Sequence, residues 1–254
     1  MTAKNIHEAA RQAARLIAES NWMVVLTGAG ISTPSGIPDF RSPTTGLWSR
    51  DNPIEVASLS AFRYRPEKFF NWLRPLAREM IKAQPNPAHK ALAQLERKGV
   101  LKAIITQNID GLHQKGGSET VLEVHGSMQK LNCLACRQNF PLENYLEAFI
   151  QQGEIPRCVN CRAILKPAIV LFEELLPGDV WQQAEEQAAR ADLFVVVGSA
   201  LEVTPAAHLP LYALENGAHL IINTFSPTYL DSKADLLLPF DVAELWPEIV
   251  NQLG

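Results

Sequence analysis

No run of 18 apolar residues occurs in this 254-residue chain, which excludes a helix able to cross a bilayer. Positive charge is not in excess either. Lys and Arg number 23 against 27 Asp and Glu, a net charge of −4, so the electrostatic footprint of a nucleic-acid binder is missing. The first twenty residues, MTAKNIHEAARQAARLIAES, lack the unbroken apolar stretch of a signal peptide, and Glu8 and Glu19 are out of place in a transit peptide. A cytoplasmic protein with neither nucleic-acid nor membrane partners is expected. Internal repeats and low-complexity segments are absent. Cysteine is scarce: there are four, all between positions 133 and 161.

What is present describes an ordinary globule of the α/β class. Apolar residues make up 47% of the chain and charged ones 20%. Ile6, Ala9, Ala10, Ala13, Leu16 and Ile17 fall at helical spacing. Short apolar runs follow: MVVLTG, LKAIITQN, TVLEVHG, AIVLF, LFVVVGS, HLIIN and DLLLPF. Helical patterns such as PAHKALAQLERKG and VWQQAEEQAARAD separate most of them. This alternation predicts buried parallel strands with helices on both faces, a Rossmann-like sheet built from residues 1–41, 85–128 and 166–254. Residues 42–84, helix-like and rich in aromatics, and residues 129–165, with all four cysteines, break the alternation. They are expected to form a helical module and a zinc-binding module that together make a smaller domain. A ligand should bind in the cleft between, at the C-terminal ends of the strands.

The stretch VVLTGAGISTPSGIPDFR, residues 24–41, opens as a dinucleotide-binding loop does, with Gly28-Ala29-Gly30 after an apolar run. It then departs from that pattern. Thr33 stands where the third glycine of G-x-G-x-x-G belongs, Pro34, Gly36 and Pro38 interrupt the helix, and no second strand ending in an acid follows. A dehydrogenase reading fails on these points.

Cys133-x-x-Cys136 and Cys158-x-x-Cys161, separated by 21 residues, are two knuckles able to place four thiolates around one zinc ion. Four thiolates fill the metal's coordination shell, so the site should be structural. Catalytic groups must lie elsewhere. ITQNIDGLH sets Gln107, Asn108 and Asp110 after a buried strand, and LEVHGS does the same for His125. Gly198 and Ser199 end a third strand, where small groups let a backbone approach a phosphate or ribose. Asn223 ends a fourth and is a candidate partner for a ribose hydroxyl.

GAGISTPSGIPDFR, TQNID, the His125-Gly126 pair, the double CxxC, GSALEV and the strand ending at Asn223 occur in the order found in sirtuins, the silent-information-regulator family. The chain resembles the bacterial and archaeal deacetylase-type members over nearly its whole length. The resemblance implies an NAD-dependent protein-lysine deacylase, with NAD as co-substrate, a structural Zn²⁺ and acylated-lysine proteins or peptides as partners; the sequence leaves the oligomeric state open, with a monomer favoured. Products would be nicotinamide, free lysine and O-acyl-ADP-ribose. Mono-ADP-ribosyl transfer and non-catalytic ADP-ribose sensing are other uses of such a site; intact Asn108, Asp110 and His125 argue against a pure binder.

Carried over residue by residue, Gly28, Ala29, Gly30, Asp39, Phe40, Arg41, Gln107, Gly198, Ser199, Asn223 and Val242 would contact the cofactor. Asn108, Ile109 and Asp110 would form the nicotinamide pocket. His125 would be the general base on a ribose hydroxyl, since an imidazole titrates near neutrality. Val170, Phe172 and Glu173 would meet the substrate. Desuccinylating members carry a Tyr-x-x-Arg pair; Phe70 and Leu73 fall at those places, with Arg74 one residue off, so acetyl or longer apolar groups are expected. Glu173 stands where these enzymes usually have glycine, and an exposed carboxylate there would favour Lys or Arg beside the modified lysine.

Overall fold

The computed structural model describes residues 5–39, 46–49 and 51–254. At its centre lies β1 (Met23–Thr27), buried at all five positions. A strand covered on both faces must be apolar throughout, which is why MVVL shows no alternation. β1 pairs in parallel with β2 (Leu101–Thr106), and β2 with β3 (Val121–Glu123). On its other edge β1 pairs in parallel with β7 (Leu193–Val197), followed by β8 (His219–Asn223) and β9 (Leu236–Leu237). The order β3-β2-β1-β7-β8-β9 reverses direction between β1 and β7, a switch point of the kind where open α/β sheets bind ligands.

Alternate residues of each strand feed two separate cores. Met23 and Val25 face α1 (Ile6–Glu19), α5 (Pro87–Arg97) and α9 (Val242–Gln252). Val24 and Leu26 face α7 (Gly178–Arg190) and α8 (Leu209–Glu215). Local signals start these helices. Asn5 Oδ1 accepts the Glu8 amide at α1, and Asn86 accepts the Ala88 amide at α5, with Pro87 at the first helical position. Among the described residues no helix is long and apolar enough to cross a membrane.

A third core lies beyond the parallel sheet. It joins α3 (Leu59–Tyr64) and α4 (Pro66–Lys82), against which α2 (Pro53–Val56) lies, to an antiparallel sheet of β4 (Gly126–Cys133), β5 (Asn139–Pro141) and β6 (Leu165–Ile169), ordered β5-β4-β6. Edge-to-face rings run through it: Phe62 on Phe69 at 5.5 Å, Phe69 on Phe70 at 5.0 Å and Phe70 on Phe149 at 5.7 Å. The run AIVLF, expected as a parallel strand, is not in the parallel sheet. Its first residues complete β6, antiparallel to β4, and Val170–Phe172 continue beyond it. A short apolar run has the same signature in either sheet, so periodicity could not separate the two.

Behind the loop that follows β2 lies α6 (Leu112–Lys115), whose His113 ring stands 4.9 Å from that of His89. Both are buried, and among the described residues neither nitrogen of His89 meets a protein partner. Burial lowers the His89 pKa to about 4 and drives His113 well below the ordinary imidazole range, the His89 charge adding to the second effect. Between about pH 6.5 and 4 the unfolded chain therefore takes up a proton that folded His89 refuses, so stability falls toward acid, by about 3 kcal/mol for His89 alone. His89→Phe should flatten the pH dependence of the urea midpoint across that window. An unchanged slope would refute the assignment.

Candidate active site

The loops after β1 and β7 touch through bare backbone. The Gly28 amide donates to the Val197 carbonyl at 3.0 Å, and the Gly30 amide to the Gly198 carbonyl at 2.9 Å. A Cβ on Gly28 would come within 2.7 Å of the Gly198 oxygen, and one on Gly30 within 2.7 Å of Gly198 Cα. Gly198 has φ of 63°, where a side chain is strained, and a Cβ there would strike the Ile31 amide. Three glycines thus bring two strand ends together and border a cavity of about 970 Å³ with backbone free of side chains.

The polar residues named from the sequence border that cavity from the neighbouring strand ends. Asn108 Nδ2 donates to the Gly28 carbonyl at 3.1 Å and to Ser32 Oγ at 3.2 Å, and the Asn108 amide donates to Thr106 Oγ1 at 3.0 Å. Asp110 accepts the Ser32 hydroxyl at 2.7 Å and the Leu112 amide at 2.9 Å. Burial pushes its carboxyl above the usual carboxylate range, opposed by these two donors. Gln107 donates to Ser199 Oγ at 3.0 Å. His125 Nδ1 lies 3.1 Å from the Gln107 carbonyl. A carbonyl only accepts, so the neutral ring carries its proton on Nδ1 and its lone pair on Nε2. Ala29, Asp39, Ile109, Gly198, Ser199 and Val242 also border the cavity.

Its other side is apolar. Ile37, Leu73, Leu76 and Met80 face Ile169 and Leu171, with Trp48 stacked on Trp72 at 5.7 Å and edge-on to Phe172 at 6.2 Å. Val170 donates its amide to the His125 carbonyl at 2.8 Å, which joins the two sides. Arg74 is turned away, with Nε on the Phe149 carbonyl at 2.8 Å and Nη2 on the Gly153 carbonyl at 2.7 Å.

One expectation needs correction, and two residues lie outside the described part of the chain. Asn223 is 0% exposed and its amide is fully engaged: Nδ2 donates to the Leu238 and Phe240 carbonyls, and Oδ1 accepts from Trp246 Nε1. It fastens β8 to α9 and has no side-chain atom to offer a ribose. Glu173 is exposed, as expected, and keeps a glycine-like φ of 74° despite its Cβ. It accepts the Ser60 amide in the first turn of α3 at 2.9 Å, and this bond holds its pKa below the ordinary range. Phe40 and Arg41 lie outside the described residues. Sequence reasoning missed Ser32, the hydroxyl shared by Asn108 and Asp110, and Asn86, whose Nδ2 holds the Ile31 carbonyl at 2.7 Å. The serine lies inside the glycine-rich motif, and the Asn-Pro start of α5 is a cap signal, so both had visible cues.

The four cysteines stand apart from the cleft. Cys133 and Cys161 sulfurs are 3.4 Å apart, Cys136 and Cys158 sulfurs 3.6 Å, and all four fall within 4.8 Å of one another. Disulfide sulfurs would be ~2.05 Å apart, whereas thiolates on tetrahedral zinc at ~2.3 Å stand about 3.8 Å apart. The set fits zinc. Both knuckles share one backbone pattern: the first cysteine's carbonyl accepts the amide four residues on, from Arg137 or Arg162, each with positive φ.

The Sir2 family model matches residues 28–205. The chain is 47% identical to the NAD-dependent protein deacylase 2 of Archaeoglobus fulgidus over 96% of this chain and 95% of that protein. It is 43% identical to the NAD-dependent protein deacetylase 1 of Geobacillus kaustophilus, over 94% and 96%. A solved Sir2 complex with p53 peptide and NAD+ superposes with TM-score 0.87 at 38% identity, covering 95% of this chain and 97% of the other. A Sir2 variant solved with deacetylated p53 peptide and 3′-O-acetyl-ADP-ribose superposes with TM-score 0.90, at the same identity and coverage.

The thiol cluster generates a direct expectation. Purified protein should carry about one zinc per chain. Cys133→Ala should lose that metal and lower the unfolding midpoint, with activity falling as a consequence. A folded, active, metal-free preparation would refute the assignment.

Proposed function

The chain belongs to the Sir2 family, and from that premise we propose how its cleft removes acetyl and other apolar acyl groups from protein lysines at the expense of NAD. One observation carries the reading. A single cavity is polar and glycine-lined where β1, β2, β3 and β7 end, and apolar where α4 meets Ile169–Phe172. A dinucleotide fits the first side and an acyl-lysine the second, and His125 stands where they meet. NAD supplies a ribose carbon that becomes electrophilic as nicotinamide leaves.

The residues then divide the work. The side-chain-free backbone of Gly28–Gly30 and Gly198 lets the dinucleotide approach closely, and Ser199, Gln107, Asp39 and Val242 border it. Ile109, Asn108 and Asp110 receive the nicotinamide carboxamide; Ser32 and the Leu112 amide hold the Asp110 carboxylate still, and Ser32 steadies the Asn108 amide. With Nδ1 held by the Gln107 carbonyl, His125 takes a proton from a ribose hydroxyl at Nε2. Val170 and Phe172 line the path of the lysine stem. One water is consumed as the acyl group passes from the lysine nitrogen to the ribose oxygen, and nicotinamide, free lysine and O-acyl-ADP-ribose leave. The same reading puts the enzyme in the cytoplasm, where thiols stay reduced and free to bind metal.

His125→Ala should lower kcat/KM for an acetyl-lysine peptide by ~10²–10⁴-fold while the unfolding midpoint stays near wild type. Asn108→Ala should act in the same direction. Nicotinamide release and peptide mass, followed together, decide the matter. Wild-type turnover in His125→Ala would remove the base assignment. A peptide that gains an ADP-ribosyl group, in place of losing its acyl group, would replace deacylation by transfer.

The apolar side also sets an acyl preference. Among the described residues no Lys or Arg lines the cavity, and the Arg74 guanidinium is committed to two carbonyls. A succinyl carboxylate would be buried without a partner, which is unfavourable. Acetyl should therefore be removed with a kcat/KM at least about tenfold above succinyl. Faster removal of succinyl would overturn this preference.

A further inference from the structure

Lys166 is a charged residue in the body of a strand. It lies on β6 opposite Asn132 of β4 and is 5% exposed. An ammonium has three donors and no acceptor, and its burial is tolerated only when donors and charge are all matched. Here they are. Lys166 Nζ meets the Ile169 carbonyl at 2.6 Å, the Pro167 carbonyl at 3.2 Å and Glu174 Oε2 at 2.8 Å. The same Glu174 oxygen accepts the Leu171 amide at 2.9 Å.

Every partner belongs to residues 167–174, the stretch assigned above to the acyl-lysine. Beyond Ile169 this stretch leaves the β4–β6 ladder, so its polar groups need other partners. Three bonds fix its outer edges: the Val170 amide to the His125 carbonyl, the Phe172 amide to the Ala57 carbonyl at 3.1 Å, and the Leu59 amide to the Phe172 carbonyl at 3.0 Å. The Ile169 carbonyl is held by Lys166 and the Leu171 amide by Glu174. Lys166 does not border the cavity, whereas Glu174 does.

We propose that Lys166 and Glu174 are positioning residues for substrate: a buried ion pair that fixes the path of Ile169–Phe172 and so sets the affinity for the acyl-lysine peptide. The pair shares no hydrogen bond with the glycine loops or with Asn108 and Asp110. Peptide binding should depend on it and NAD binding should not. The inference rests on the deacylase reading, and the test separates the two.

Anisotropy of a labelled acetyl-lysine peptide and calorimetric titration with NAD are measured on wild type, Lys166→Arg and the double variant Lys166→Met/Glu174→Leu. Removing both charges together leaves neither one unpaired, so the double variant keeps its fold. Its peptide affinity should weaken at least about tenfold, with NAD affinity unchanged. Lys166→Arg, which keeps charge and donors, should recover most of the peptide affinity. Unchanged peptide affinity in the folded double variant would overturn the proposal, and so would an equal loss of NAD affinity or failure of that variant to fold. A wild-type chain that binds no acetyl-lysine peptide would overturn the deacylase reading as well.

Discussion

Everything in the cleft depends on how closely β1 and β7 approach at their C-terminal ends. Side chains on the turns that follow would hold these two ends apart, since a Cβ at any of three positions would clash with the facing loop. Gly28, Gly30 and Gly198 remove those side chains, and the loops join through amide-to-carbonyl bonds of 2.9 and 3.0 Å. The contact turns the next residues, Ile31 and Ser32, back toward β2. From there Ser32 reaches both Asn108 and Asp110. The polar half of the site is thus a consequence of a steric constraint, with hydrogen bonding laid over it.

That constraint also explains why the fingerprint differs from that of a hydride-transfer enzyme. Gly28 and Gly30 are used for contact with Gly198, so their purpose survives without the third glycine. The continuation through Pro34 and Pro38 forgoes the long helix that would otherwise follow, and Ile37 instead joins the core shared with α4. The loop therefore belongs to both halves of the cavity. This is how one segment can touch a dinucleotide at its start and an apolar substrate chamber farther along.

Much of this was legible in the amino-acid order, and the exceptions share a cause. The parallel strands announced themselves as unbroken apolar runs, the thiol cluster as two CxxC knuckles, and the strand-end polar groups as residues with no role in a core. What escaped notice depends on contacts between distant segments. AIVLF carries no mark of which sheet it joins. Asn223 reads as a strand-end polar group until Trp246 and the Leu238 and Phe240 carbonyls are placed around it. Glu173 stays the exposed charge it reads as, but nothing in the sequence marks its bond to the Ser60 amide, 113 residues away in the chain. Spacing reports local geometry well and the far partner of a side chain poorly.

The β4–β6 pair has a practical consequence for inhibitor discovery. At one end Cys133 is aligned with Leu165; at the other Gly126, next to His125, is aligned with Ile169. Eight residues of β4 at ~3.3 Å each make a lever about 25 Å long between the thiol cluster and the ring. A chelating compound in a screening library would therefore register as a hit without ever entering the cleft. Its onset would follow the slow escape of metal, added zinc would reverse it, and excess NAD would not compete with it. Counter-screening with supplementary zinc separates such compounds from true occupants of the cavity.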